Sequence, residues 1–292
     1  MTLIKLGNHR LDSSEKTLIM GILNVTPDSF SDGGEYFTIE AAVKRAKQMV
    51  DEGANIIDVG GESSRPGAKI VKANDELHRV LPVIENVVDR IDVPVSIDTY
   101  KADVAEKGIE AGALLVNDIT AMQGDPRMVS LIADKHVHVC LMHMKGNPRT
   151  MQQNPSYQHL IQEISSFLKE RAEYALFHDI PKEHILFDPG IGFGKRTGRG
   201  VEDNCEILRH LKELKKEKYA VVVGASRKTF IGNISCKNQL LPVDQRLEGS
   251  IAAACIAAYN GADIIRVHDV IETRKAISVI DCILGKTKKK KS

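Results

Sequence analysis

The chain has 292 residues, 42% of them hydrophobic, enough to bury a large core. Its 40 basic and 39 acidic residues leave a formal net charge of +1, which removes any global electrostatic case for a nucleic-acid or membrane-surface partner, although a small anion could still be met locally. Five scattered cysteines (Cys140, Cys205, Cys236, Cys255 and Cys282) without a Cys-x-x-Cys pair argue against a disulfide framework or zinc ribbon, and with no signal-peptide core or ~20-residue apolar span the expected setting is a reducing cytoplasm.

In chain order, Leu3 to Leu11 reads as a short hairpin around Gly7-Asn8, a piece suited to closing the bottom of a barrel. Leu18 to Leu23 is a compact apolar run that stops at Asn24, the signature of a strand buried on both faces. The segment after it, through Asp28, Asp32, Gly33 and Gly34, is too rich in turn formers to continue a strand or helix, so it is expected to be a mobile loop. A helix is predicted over 38–52, where Ala42, Val43, Ala46, Met49 and Val50 recur at helical spacing before Gly53.

The same junction recurs down the chain. Apolar runs ending on polar residues lie at Ile56 to Val59, Val93 to Ile97, Leu114 to Val116, Val137 to Met142, Ile185 to Phe187, Ala220 to Val223 and Ile264 to Val267. Helical spacing is found over 73–89, 101–110, 157–177 and 247–260. About eight strands alternating with helices predict a single (β/α)8 TIM barrel, a fold that uses about 250 residues as one domain. The expected organisation is an N-terminal extension over 1–17, a barrel over 18–285, and a basic, disordered tail over 286–292.

In such a barrel the polar strand ends gather on one rim. There they comprise Asn24, Asp98, Asn117, Asp188, Lys228, Arg266 and His268, with Arg65 on a glycine-flanked loop beside them. Carboxylates and a carboxamide end neighbouring strands, whereas the cations belong to the last two strands. That segregation suits a ligand with two ends: a flat heterocycle rich in N–H donors, and an anion such as phosphate that arginine grips as a fork.

Three motifs are discounted. Gly190-Ile191-Gly192-Phe193-Gly194-Lys195 fails the Walker spacing, with Pro189 in place of the first glycine and Arg196 in place of Ser or Thr, and it misses the Rossmann pattern. His136 and His138 alternate along a predicted strand, sharing one face, and are read as ordinary strand residues rather than metal ligands. Ser226 lies in Gly-Ala-Ser-Arg-Lys rather than a Gly-x-Ser-x-Gly elbow, so it is not expected to be a nucleophile.

Taken together, ILNVTPDSFSDGG (22–34), IIDVGGESSRPGA (56–68), SIDTYK (96–101), VNDI (116–119), LMHMKGNPRTMQ (141–152), FDPGIGFGK (187–195), GASRKTFIG (224–232) and IIRVHDV (264–270) resemble the dihydropteroate synthases of bacterial folate synthesis. The resemblance implies condensation of 6-hydroxymethyl-7,8-dihydropterin pyrophosphate with p-aminobenzoate, a Mg2+ requirement, competition by sulfonamides and a homodimer. Position by position, it assigns Asp98, Asn117, Asp188 and Lys228 to the pterin. Asn24, Arg266 and His268 match positions that hold magnesium and pyrophosphate, with Asn24 the metal ligand and Arg65 also on the pyrophosphate. Ser64, Arg65, Phe193 and Ser226 surround the aminobenzoate, and Asp32 sits in the first loop, with Asp32, Lys228, Arg266 and His268 taken as catalytic.

Two departures stand out. Ser64 replaces the usual Thr, keeping the hydroxyl but losing a methyl, and Arg196 to Gly200 is an unusually basic, glycine-rich run. The expected chemistry is dissociative, SN1-like loss of pyrophosphate, with Asp32 stabilising the pterin methylene cation once the loop closes. Two rivals are a pterin-binding methyltransferase barrel, which would lack the Arg266/His268 pair and the Thr-Pro-Asp-Ser-Phe-Ser loop, and a silent pterin-binding paralogue.

Overall fold

The computed structural model describes residues 2–26, 39–63, 67–198, 201–236 and 240–286. A hairpin, β1 (Leu3–Leu6) and β2 (His9–Asp12), precedes the first barrel strand, β3 (Leu18–Asn24). The barrel continues through α1 (Ile39–Asp51), β4 (Ile56–Gly60), α2 (Ala73–Val88), β5 (Val95–Asp98), α3 (Ala102–Glu110), β6 (Leu115–Asp118), α4 (Met128–Lys135), β7 (His138–Met142), α5 (Leu160–Phe177) and β8 (Ile185–Asp188). A two-residue ribbon, β9 (Thr197–Gly198) with β10 (Val201–Glu202), leads into α6 (Asp203–Arg209) and α7 (Leu211–Lys215). Then come β11 (Ala220–Val223), α8 (Thr229–Ser235), α9 (Leu247–Tyr259), β12 (Ile264–Val267) and α10 (Val270–Ile283). Strands β3 to β8, β11 and β12 pair in parallel and close on themselves, as the alternation of elements predicts.

Strand alternation divides each strand between the two sides of the barrel wall. Ile19, Ile57, Ile97, Val116, Val139, Phe187 and Val221 point outward into the helix layer. Leu18, Met20, Ile56, Leu115, Cys140, Leu186, Val222 and Ile264 point inward and pack into a separate cluster at the bottom of the barrel. Ile4 and Leu6 of the hairpin complete that cluster, each almost wholly buried, so the hairpin is the barrel's floor plate. The next inward layer up is polar. It holds Asp58, Ser96, Asp98, Asn117, Asp188 and Arg266, one or two pleats above the apolar ones.

Three details differ from the sequence reading. His136 is not on a strand: it terminates α4 in the left-handed conformation (φ 52°), and β7 begins at His138, which stacks on His184 with centroids 4.2 Å apart. Helix α5 starts at Leu160 rather than Tyr157, because Glu163 accepts the Gln158 and His159 amides at 2.7 and 3.0 Å while the Tyr157 hydroxyl donates to the Gly194 carbonyl at 2.6 Å. Helix α10 gives little apolar periodicity, because its buried positions are Val270, Thr273, Ile277 and Asp281. Asp281 accepts both the amide and the hydroxyl of Thr17, tying the last helix to the start of the first barrel strand. The lysine run of the tail lies outside the described residues.

Candidate active site

The polar inner layer opens at the C-terminal rim, where β/α barrels place their chemistry. Its hub is Asp58, which is completely buried in the middle of β4. One Asp58 oxygen accepts the Asn117 carboxamide at 3.1 Å and the Arg266 Nε at 2.6 Å. The other arm of the guanidinium, Nη2, donates to Asp98 at 2.5 Å. Arg266 is therefore held by two carboxylates at once. The acid floor and the cations expected as separate halves interleave around it.

Burial opposes charge on Arg266, but Asp58 and Asp98 outweigh it and raise its pKa. Asp98 shows the converse: burial pushes its carboxyl up to about 7, with Arg266 pulling down and Asp58 pushing up. Asp188, on β8, is also raised by burial, although the Gly190 amide at 2.7 Å and the fields of Lys228 and Arg266 favour its ionised form. The fields of Arg266 and Lys228 thus reach Asp188 in one rim.

His268 and Ser226, assigned by resemblance to different ligands, contact each other: Ser226 Oγ lies 3.0 Å from His268 Nδ1 and accepts the His268 amide at 3.3 Å. Burial, then Arg266 and Arg227, lower the imidazole to about 3, so near neutral pH it offers hydrogen bonds rather than charge. Lys228 lies over the Phe193 ring, 4.1 Å from its centroid. Asn24 ends β3, paired in register with Gly60. Asp32, Ser64 and Arg65 fall outside the described residues.

Beside the polar floor, Ile119, Met142, Met151 and Phe193 form a small apolar cluster with Tyr100 and Met144 against it. Polar edge contacts beside an apolar wall suit a flat ring. A narrow cleft runs from Asp98 past Tyr100 and Ile119.

The discounted glycine motif turns out to shape this rim. A side chain at Gly190 (φ +70°) would meet the His143 carbonyl at 1.8 Å, and one at Gly194 (φ +60°) the Lys145 carbonyl at 2.3 Å. The glycines let the turn after β8 lie directly on the turn after β7. Arg196, the start of the basic run, is paired with Asp203 at 2.9 Å, so part of that run's charge is compensated within the chain. Sequence reasoning missed Asp58 as a site residue. Its signal was present as a single charge inside an otherwise apolar strand.

A closed parallel barrel carrying a buried acid, amide and arginine constellation on its rim defines an α/β barrel enzyme for a flat, polar heterocycle. The profile of the family described as pterin binding enzyme matches residues 20–268. The dihydropteroate synthase of Clostridium beijerinckii is 45% identical over 282 residues, covering 96% of this chain and 99% of that one. Among solved structures, the Yersinia pestis dihydropteroate synthase with a sulfonamide drug superposes with a TM-score of 0.90 at 42% identity, covering 97% of this chain and 100% of that chain. The Xanthomonas albilineans dihydropteroate synthase in complex with 7,8-dihydropteroate gives 0.84 at 38% identity, covering 97% and 98%. The chain belongs to the dihydropteroate synthase family.

Proposed function

We infer that this protein condenses 6-hydroxymethyl-7,8-dihydropterin pyrophosphate with p-aminobenzoate to give 7,8-dihydropteroate and pyrophosphate. The observation that carries the reading is the inward-facing set Asp58, Asp98, Asn117, Asp188 and Arg266 on one rim of a barrel similar, over nearly its whole length, to dihydropteroate synthases. Asp98, Asn117 and Asp188 pair with the N–H edge of the pterin, and Asp58 fixes Asn117 and Arg266 in position. Lys228 and the Phe193 ring close one side. Arg266 supplies fixed positive charge beside the departing pyrophosphate, and neutral His268 supplies a hydrogen bond.

Among the described residues no group of three or more His, Cys, Asp or Glu is placed to hold a metal. A hard cation that keeps several waters and binds phosphate oxygens needs few protein donors, so the Asn24 amide oxygen fits as a Mg2+ ligand. When bound, the ion supplies Lewis-acid stabilisation of the leaving pyrophosphate. Asp32 stabilises the cation at the pterin methylene, while Ser64 and Arg65 hold the aminobenzoate and Arg65 also meets the pyrophosphate. Sulfonamides compete as aminobenzoate mimics.

The protein works as a homodimer in the cytoplasm. Supporting a second copy, α9 and α10 pack together and leave Ile256, Tyr259, Val279 and Ile283 exposed. All five cysteines are unpaired, and among the described residues no helix is long and apolar enough to cross a membrane.

Incubating purified protein with both substrates and Mg2+ should yield dihydropteroate by mass spectrometry. Pterin binding without product would favour the silent paralogue, and methyl transfer to a corrinoid acceptor the methyltransferase. Pyrophosphate release in the absence of the amine is expected for dissociative transfer, and strict dependence on the amine would exclude it. Light scattering should give twice the chain mass, falling towards monomer in Ile256→Glu.

A further inference from the structure

We propose that Lys195 is a positioning residue for the aminobenzoate side of this reaction: its buried Nζ, set between two turn carbonyls and the His143 ring, fixes the Gly190–Gly194 turn and with it the Phe193 ring. The assignment rests on the reading above, in which Phe193 borders the aminobenzoate.

Lys195 is 1% exposed, among the largest fully buried side chains. Its Nζ reaches the Gly190 carbonyl at 3.0 Å, the Phe193 carbonyl at 2.8 Å and the His143 Nδ1 at 3.0 Å. Two of these partners are carbonyl oxygens, which can only accept, and the third is a ring nitrogen whose role follows the imidazole tautomer, so the amine donates to both turn carbonyls in either of its protonation states. Two of the partners belong to the turn itself and the third to the segment just after β7, so the lysine stitches the turn to its neighbour. The stitch falls where the two backbones already touch, between Gly190 and the His143 carbonyl.

Burying an amine this completely is expensive, and an apolar side chain would fill the same space without that penalty. What an apolar side chain cannot do is hold the Phe193 carbonyl. Phe193 is the turn residue whose ring lies under Lys228, and its own amide donates to the Gly190 carbonyl at 3.0 Å. Without the stitch the turn keeps this internal bond and its ties from the Gly190 amide to Asp188, the Gly192 amide to Asn204 and the Gly192 and Gly194 carbonyls to Gln152 and Tyr157, but none of these holds the Phe193 carbonyl, the backbone group next to the ring. The pterin partners Asp98, Asn117 and Asp188 sit on barrel strands and keep their places through the sheet, while Lys228, the fourth, meets the turn through the Phe193 ring and Asp188 meets it through the Gly190 amide. Loss of Lys195 therefore acts on one substrate more than the other.

The test is Lys195→Met in the full-length protein. At saturating pterin pyrophosphate, KM for p-aminobenzoate should rise about five- to twentyfold, with kcat within about threefold and pterin affinity by calorimetry within about twofold. In a Phe193→Ala background the same substitution should raise KM by less than about twofold more, because its effect passes through the ring. An unchanged KM, a parallel loss of pterin affinity, or full additivity with Phe193→Ala overturns the proposal. If Lys195→Met does not fold, His143→Ala removes one partner and should raise the same KM about two- to fivefold, and no rise overturns the proposal. Should the wild-type protein form no dihydropteroate, the reaction assignment falls separately. The positioning claim is then decided by crystal structures of wild type and variant, in which the Phe193 ring must leave its contact with Lys228 in the variant and an unmoved ring refutes it.

Discussion

The two ends of the barrel interior are built from the same strands, a pleat or two apart, yet they obey opposite rules. At the bottom, Leu18, Met20, Ile56, Leu115, Leu186, Val222 and Ile264 pack under the hairpin residues Ile4 and Leu6 as an apolar cluster. At the top, inward positions carry Asp58, Asp98, Asn117 and Arg266, bound to one another, and Asp188, bound to the Gly190 amide. The bottom gains stability by excluding water, the top spends it to hold charge in a chosen geometry. A barrel can do both because adjacent inward layers share little beyond the backbone.

The sharpest way to break this comparison is to remove the cation from the top. Arg266→Met leaves Asp58 and Asp98 buried without their partner and should lower unfolding stability by about 3–5 kcal/mol at pH 8 in urea titrations. The loss should shrink at pH 5, where the orphaned Asp98 carboxyl can take up a proton. A loss no greater than that of an exposed arginine would mean that the top layer is not an electrostatic unit.

At the bottom, Leu6→Ala opens a cavity in the floor plate and should lower stability by about 2–5 kcal/mol, while leaving both substrate KM values unchanged. A shift in KM would show that the two layers communicate. Back at the rim, Asp188→Ala removes an acceptor for the pterin edge and should weaken pterin binding by about 1–3 kcal/mol in calorimetry. Unchanged affinity would remove Asp188 from the site.

The smallest effect concerns protonation. Burial holds Asp98 near 7, so the free protein takes up a proton there as pH falls, whereas pairing with pterin N–H donors needs the carboxylate. Pterin affinity should therefore drop about twofold from pH 8 to pH 7 and further below, and the dependence should weaken in Asp98→Asn, with Asp188 left as the one raised carboxyl on the pterin edge. For the unliganded fold the sign is reversed. A carboxyl raised from 3.8 to about 7 contributes stability that is complete below 3.8 and is lost as pH rises through 7.

Much of this was legible from the chain alone. Eight apolar runs ending on polar residues announce a barrel, and strand alternation guarantees that Asp98, Asn117 and Asp188 share its inner rim. The hairpin at Gly7-Asn8 was equally plain, since turn chemistry is local. Less legible was α10, where the buried Asp281 satisfies the distant Thr17 and the buried Thr273 bonds back to the Asp269 carbonyl one turn earlier, so that both interrupt the apolar stripe that marks a helix in sequence.

By itself, then, the sequence determined the fold, the family and the rim positions of Asp98, Asn117, Asp188 and Arg266, though not that of Asp58, because periodicity and turn residues are set by covalent geometry and near neighbours. Only the tertiary structure decided which of them pair. That Arg266 lies between Asp58 and Asp98, that Ser226 meets His268, and that Lys195 turns inward to His143 depend on strands brought side by side from distant parts of the chain. Long-range electrostatics and burial arise with that closure, and no local pattern encodes them.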